Sequence, residues 1–282
     1  MLDLTACHPT RLQIIDHVCS RLLNHAGHLQ PSDLMILGAQ CRDVLHEALG
    51  HSFPLRTTQD LDVALAIANW DAYREIVTDL PAIGGTGIRY DVGGVPTDLV
   101  PFGPIENPTG VVPDPPDRSL SVWAFREVFD TGYDLPLPTV GSTRIPTVPG
   151  YTALKLAAWL DRSENGLYKD APDIATAVYW YTSSKAVKNR LYEDSGHGMD
   201  VLDKFEFDEN RALAYLLGED VAATVGSQRL DELATRWPGP HDDALVQHMN
   251  IDTAPLVWSP DIHRRKELID ALALGLSENA WS

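Results

Sequence analysis

The segment Leu12 to Leu23, LQIIDHVCSRLL, places apolar residues three and four apart, the period of an amphipathic helix. Leu34 to Leu37 form a short apolar strand that runs into Gly38, after which AQCRDVLHEAL again has helical spacing. A strand–glycine–helix join of this kind makes backbone N–H groups available to an anion. Leu61 to Ile67 predict the next strand, and Trp70 to Leu80 a helix capped by Asn69. IRYDV and VPTDLV, joined by Gly93 and Gly94, predict a hairpin. The stretch Pro101 to Asp117 is too rich in Pro and Gly for a continuous helix or central strand, leaving a surface loop beside the sheet or an active-site flap. A helix over Leu120 to Phe129 and two short edge strands, YDLPLP and GSTRIPTV, follow. Beyond Pro149 the pattern becomes helical in GYTALKLAAWLDR, APDIATAVYWYTSS, NRALAYLLGEDVAATV and DIHRRKELIDALALGL. The predicted organisation is a mixed α/β domain over residues 1–148 and a mainly helical domain over 149–282.

Composition narrows the class. A hydrophobic fraction of 44% over 282 residues can bury one large core or two modest ones, which excludes disorder as the default. Cys7, Cys19 and Cys41 are too few for a disulfide framework and have no CxxC spacing. The opening MLDLTACHPT lacks the basic and apolar regions of a secretion signal, and no apolar run approaches eighteen residues. The expectation is a cytoplasmic chain with no membrane partner. A net charge of −18 opposes non-specific adhesion to nucleic acid, so an RNA-directed role requires a local basic patch.

Candidate chemistry centres on TTQDLDVALAI, Thr57 to Ile67, where two aspartates interrupt a hydrophobic run. The period of a strand puts Asp60 and Asp62 on one side and Leu61 on the other, toward the core. Asp98, in PTDLVPF, is a third acid in a short apolar strand. Were the two strands adjacent, three carboxylates would meet at one sheet edge and repel one another unless a cation neutralised them. Magnesium, a hard ion held by one or two carboxylates plus substrate phosphates, fits that need. Two such ions about 3.5–4 Å apart can activate a hydroxyl and stabilise a departing pyrophosphate. Gly38 and Ala39 would let the following helix approach a triphosphate.

Basic residues could clamp that triphosphate. Lys155 and Arg162, seven apart, share a helical face; Lys169 and Asp170 follow, with Asp173 three further on. A solvated charged face, with Asp170 capping the next helix, explains the same pattern. Arg42 and Asp43 either orient the glycine turn or pair locally. GGTG at Gly84 to Gly87 lacks a P-loop ending and predicts a flexible turn, and the spacing of His241 and His248 is not that of an HExxH zinc helix. Trp159, Trp180 and Trp237 are assigned to the core or to a partner surface.

In order, LMILGAQCRDVL, TTQDLDVAL, GGVPTDLVPF and KLAAWLDR…YKDAPDIA resemble the nucleotidyltransferase superfamily, and within it the AbiEii/AbiGii-type toxins of bacterial abortive-infection and type IV toxin–antitoxin systems. The resemblance spans roughly residues 30 to 185. It implies a minimal, polymerase beta-like nucleotidyltransferase core of α/β class, with a mixed sheet and a mainly helical C-terminal domain. Asp60, Asp62 and Asp98 would be its catalytic and metal-binding acids, holding two Mg²⁺ ions. Gly38, Ala39, Arg42, Thr58, Lys155, Arg162 and Lys169 would surround the NTP, Lys155 matching the family's helical phosphate-binding lysine. Ala39 departs from the Gly or Ser often found after the motif glycine, which removes a hydroxyl contact. Some family members transfer nucleotides to the acceptor end of tRNA while an antitoxin protein opposes them.

The expected activity is therefore Mg²⁺-dependent transfer of a nucleoside monophosphate from an NTP to an acceptor hydroxyl, with an RNA such as the tRNA 3′ end as first choice. Arg162, Lys169, Lys185, Lys188 and Arg190 are the candidate RNA-facing bases. Alternative acceptors are a protein or a small cationic molecule such as an aminoglycoside, which an acidic surface favours. The non-enzymatic alternative is a binding protein that retains the fold.

Overall fold

A computed structural model describes residues 3–114, 118–193, 196–237, 242–251, 258 and 261–279. It divides the chain into two compact units, Met1–Thr147 and Val148–Ser282.

The first unit runs α1 (Pro9–His25), β1 (Leu34–Leu37), α2 (Gly38–Ala48), β2 (Leu61–Ala66), α3 (Trp70–Val77), β3 (Arg89–Val92), β4 (Val95–Phe102), β5 (Val111–Asp114), β6 (Arg118–Ser121), α4 (Phe125–Thr131), β7 (Tyr133–Leu137) and β8 (Gly141–Ile145). Six strands make one mixed sheet in the order β3-β4-β2-β1-β8-β7, and β5 pairs with β6 as a separate ribbon. β1 lies antiparallel to β2 and parallel to β8, while β2 and β4 run parallel. All four residues of β1 are buried, as expected of an apolar strand covered on both faces. Ile15, Val18, Cys19 and Leu22 of α1 and Val44 and Leu45 of α2 supply core side chains at helical spacing. The Asn69 side chain accepts from the Ala72 amide at 3.0 Å, so α3 has the expected cap.

Three expectations change here. The Pro/Gly-rich stretch is not all loop: its first residues finish β4, and Val111–Asp114 form β5. Between them the Glu106 carboxylate accepts from the amides of Gly103 and Gly110, and residues 115–117 lie outside the described residues. The following helix begins at Phe125, because Leu120 belongs to β6. Of the two strands expected at an edge, β7 is there, but β8 is internal, lying between β1 and β7. Asp16 of α1 fixes their turn by accepting from the Thr139 and Val140 amides at 3.0 and 3.2 Å.

The second unit is helical: α5 (Val148–Ser163), α6 (Ala171–Ser183), α7 (Lys185–Glu193), α8 (His197–Lys204), α9 (Glu209–Ala234), α10 (Asp242–His248) and α11 (Ile262–Asn279). Trp159 and Trp180 are fully buried in it, and α9 and α11 touch backbone to backbone. A Cβ on Gly218 would lie 2.2 Å from the Leu272 carbonyl oxygen, and one on Gly275 2.2 Å from that of Tyr215. Small residues at both positions are what permit this approach. Among the described residues no helix is long and apolar enough to cross a membrane.

The connection between α2 and β2, residues 49–60, has no regular structure and depends on α2 for its shape. The Arg42 guanidinium donates to the Arg56 carbonyl, and His46 Nε2 lies 3.0 Å from the Phe53 carbonyl oxygen, so this nitrogen carries the proton. Burial, reinforced by nearby His51 and Arg42, pushes the His46 imidazole down to about 4 from 6.5, against the opposing pull of the Phe53 carbonyl and Glu47. Its neutral form therefore stabilises the fold fully above pH 6.5, and that contribution is lost as pH falls toward 4 while the unfolded chain takes up the proton. In urea titrations over that interval, wild type should lose about 2–3 kcal/mol more than His46→Gln. Equal losses would show that His46 is not buried in its neutral form.

Candidate active site

The site begins where β1 ends. Gly38 opens α2 with φ of +61°, a left-handed conformation that side chains rarely adopt. A Cβ built there would lie 1.8 Å from Asp62 Oδ2 and 2.7 Å from its Cγ. Asp62 stands opposite Leu37 in the β1–β2 ladder, so the pairing that fixes the strands also lays its carboxylate against the strand–helix turn. Leu37, at the N-cap of α2, offers no side-chain acceptor to the first amides of the helix.

Across β2, Asp62 is paired in register with Asp98 of the parallel strand β4, so the two share a face of the sheet. Leu61 is fully buried, as the alternation requires. Asp60 immediately precedes β2, at the end of the connection that α2 anchors.

A residue that the sequence reading missed joins the acids. Arg89 Nε donates to Asp98 Oδ1 at 2.6 Å, and its Nη2 donates to Asp98 Oδ2 at 2.9 Å and to Asp60 Oδ2 at 2.7 Å. The Thr58 hydroxyl donates to Asp60 Oδ1. Burial pulls the Asp60 carboxyl upward, but the Thr58 hydroxyl, its own backbone amide and Arg89 together hold it below the usual aspartate value. The fork onto Asp98, with Asp60 beside it, raises the Arg89 guanidinium above its ordinary value, so Arg89 remains charged. The signal for Arg89 was present in the hairpin. With Gly93 and Gly94 as a two-residue turn, pairing backward from Val92 and Val95 brings Arg89 opposite Asp98.

Asp62 and Asp98 thus share a face, but Asp60 and Asp98 close on a guanidinium. Among the described residues no group of three or more His, Cys, Asp or Glu side chains is arranged to hold a metal ion. The expected meeting of three carboxylates at one point is replaced by two carboxylates on Arg89 and a third resting on Gly38. The physical reason is that Arg89 supplies the positive charge that the cluster requires. Ala39 is half-buried in the first turn of α2, while Arg42 is 2% exposed and bonded to Asp43 at 2.7 Å.

Lys155, Arg162 and Lys169 belong to the second unit. Lys155 and Arg162 do share a helix face, and both reach Asp170. Lys155 Nζ lies 3.2 Å from Asp170 and 2.6 Å from Asp173, and Arg162 Nη1 lies 2.8 Å from Asp170. Of the two readings of these bases, the one with Asp170 capping α6 does not hold, because its carboxylate makes no cap hydrogen bond and serves these two cations instead. Burial opposes the Lys155 charge, but Asp173 and Asp170 outweigh it and hold the ammonium above its ordinary value. Lys169 is exposed. The Gly84 to Gly87 segment is a turn; His248 stacks on Tyr168 at 4.5 Å, and His241 lies outside the described residues.

Comparison with protein-family models and with curated proteins gives no match.

Two stability measurements check this geometry. Gly38→Ala should cost about 2 kcal/mol or more, and only about 1 kcal/mol in an Asp62→Ala background, where the backbone strain remains but the clash is gone. Full additivity of the two changes would place Asp62 elsewhere. Lys155→Met should cost about 3–5 kcal/mol, since it strips the ammonium from two buried carboxylates. A loss below 1 kcal/mol, on the order of an exposed ion pair, would overturn that assignment.

Proposed function

We propose that the protein is a magnesium-dependent nucleotidyltransferase that moves a nucleoside monophosphate from an NTP to an acceptor hydroxyl. One observation carries the reading: Asp62 and Asp98 stand in register on parallel strands, with Asp60 tied to Asp98 through Arg89 and with Asp62 lying against the glycine that opens α2. The donor set fits the group that the reading requires. It is all carboxylate oxygen, which suits a hard divalent cation rather than zinc or copper, and the Asp62 carboxylate occupies the space that a Cβ on Gly38 would fill, which brings it to the turn that opens α2.

Asp60, Asp62 and Asp98 would hold the magnesium, which when bound offsets phosphate charge and lowers the pKa of a coordinated hydroxyl. The chain's own contribution is mostly positioning and electrostatics. The amides of Gly38 and Ala39, which have no side-chain cap, can donate to a phosphate oxygen with the favourable end of the helix dipole behind them. Thr58 fixes the rotamer of Asp60, and the anchored 49–60 connection fixes its backbone. Ala39 contributes an amide and no hydroxyl.

The resemblance supports an RNA 3′ hydroxyl as acceptor. A second reading draws on the bases themselves. Arg162, Lys188 and Arg190 are engaged with Asp170, Glu209 and Asp220 at 2.8, 2.6 and 2.5 Å, leaving Lys169 and Lys185 as exposed candidates. Against a net charge of −18, that pairing favours a small cationic acceptor such as an aminoglycoside.

Incubating the protein with α-labelled NTPs, Mg²⁺ and either total RNA or an aminoglycoside separates these readings. Label should enter one acceptor, and the Asp60→Ala, Asp62→Ala double variant should transfer at least roughly a hundredfold less. Undiminished transfer by the double variant would remove these residues from the chemistry. Label in the aminoglycoside alone would select the second acceptor.

A further inference from the structure

The Arg89 contact has a chemical consequence beyond neutralising charge. All four oxygens of Asp60 and Asp98 are occupied: Arg89 takes both of Asp98 and Oδ2 of Asp60, and Thr58 takes Oδ1. A divalent cation seeking those oxygens meets a guanidinium, and like charges at such range repel. The carboxylates therefore cannot serve Arg89 and a metal in the same arrangement. Arg89 can leave. Its strand, β3, is an edge strand, its side chain is 32% exposed, and the contact rests on a long, flexible stem.

The same side chain has a free hand. Nη1 makes no hydrogen bond among the described residues, whereas Nε and Nη2 are both used. Residues 1–147 contain no lysine, so any side chain of this unit that offers a phosphate a permanent positive charge is an arginine. Arg11 is committed to Asp43 and Glu47, and Arg42 to Asp43 and the Arg56 carbonyl. Arg89 is the base placed at the aspartates, and a guanidinium fork matches phosphate as well as it matches carboxylate.

We propose that Arg89 is an exchangeable counterion. It holds Asp60 and Asp98 until a divalent cation and a nucleoside triphosphate bind together, and the displaced guanidinium then takes a phosphate oxygen. This rests on the nucleotidyltransferase reading and adds an order to it. Metal alone must compete with Arg89, whereas metal with nucleotide gives Arg89 a new anion. Each ligand therefore strengthens the other, and part of that coupling runs through one side chain.

The test is Mn²⁺ binding by electron paramagnetic resonance, with and without a non-hydrolysable NTP analogue, on the full chain. Wild type, Arg89→Gln, Arg89→Lys and Asp62→Asn are compared, with thermal melting as the check of folding. Without nucleotide, Arg89→Gln should bind Mn²⁺ roughly tenfold or more tighter than wild type, the ratio expected when one charge-assisted contact no longer has to be broken. The nucleotide should tighten Mn²⁺ binding strongly in wild type and less in Arg89→Gln, which should also bind the nucleotide more weakly. Arg89→Lys, which retains the charge but loses the fork, should fall between them and decides the matter if the glutamine variant does not fold. Mn²⁺ affinity equal to or below wild type in both Arg89 variants would overturn the exchange. The nucleotidyltransferase reading would survive that result if Asp62→Asn still abolished binding. Absence of Asp62-dependent Mn²⁺ binding in every protein, even with nucleotide, would overturn both.

Discussion

Two carboxylates on one face of adjacent parallel strands, with a third just before one of them, repel one another, and the first unit is arranged around relieving that repulsion. Arg89 relieves most of it by taking Asp98 with a two-nitrogen fork and Asp60 with the shared Nη2. Asp62 is placed differently, against a glycine whose missing side chain gives it room. The β3–β4 hairpin, the β1–β2 ladder and the turn into α2 must all keep register for these contacts to coexist. A one-residue slip in any of them would send a carboxylate to the opposite face.

Placement of Asp60 depends on less regular structure. It lies outside the strand, at the end of a connection whose path is set by Arg42 and His46 reaching from α2 to carbonyls of residues 56 and 53. Helix α2 therefore acts on the site twice. Its first residue makes space for Asp62, and its interior side chains deliver Asp60. The second unit uses charge for a different end. Lys155 and Arg162 neutralise Asp170, and Lys155 also neutralises Asp173, inside a helical core where an unpaired carboxylate would be costly. Basic residues on a helix face are as readily spent on internal acids as offered to a ligand, which bears directly on the choice of acceptor.

A site of this kind holds its acids ready at the expense of keeping them occupied. The guanidinium that makes the cluster stable also occupies the oxygens that the proposed metal would use, so on that reading stability and catalysis draw on the same contact. Densely charged clusters are expected where a binding site is located, and the Asp60–Arg89–Asp98 cluster is joined through the Asp62–Asp98 register to the glycine that opens α2.

The α/β class, the strand–glycine–helix join and the Gly93–Gly94 hairpin were determined by the sequence alone, because periodicity and turn chemistry are local properties of the chain. Even Arg89 was legible, since a two-residue turn fixes its partner by counting. Strand order was not, because which strands become neighbours depends on long-range packing that no local pattern encodes. Only the tertiary structure placed β4 beside β2 and β8 inside the sheet, and so decided that Asp98 faces Asp62. It alone decided, too, that Asp170 would accept two cations rather than cap α6, and that Asp60 and Asp98 would meet a guanidinium. Ion pairing is a competition among every charged group brought within reach, and the fold sets that reach.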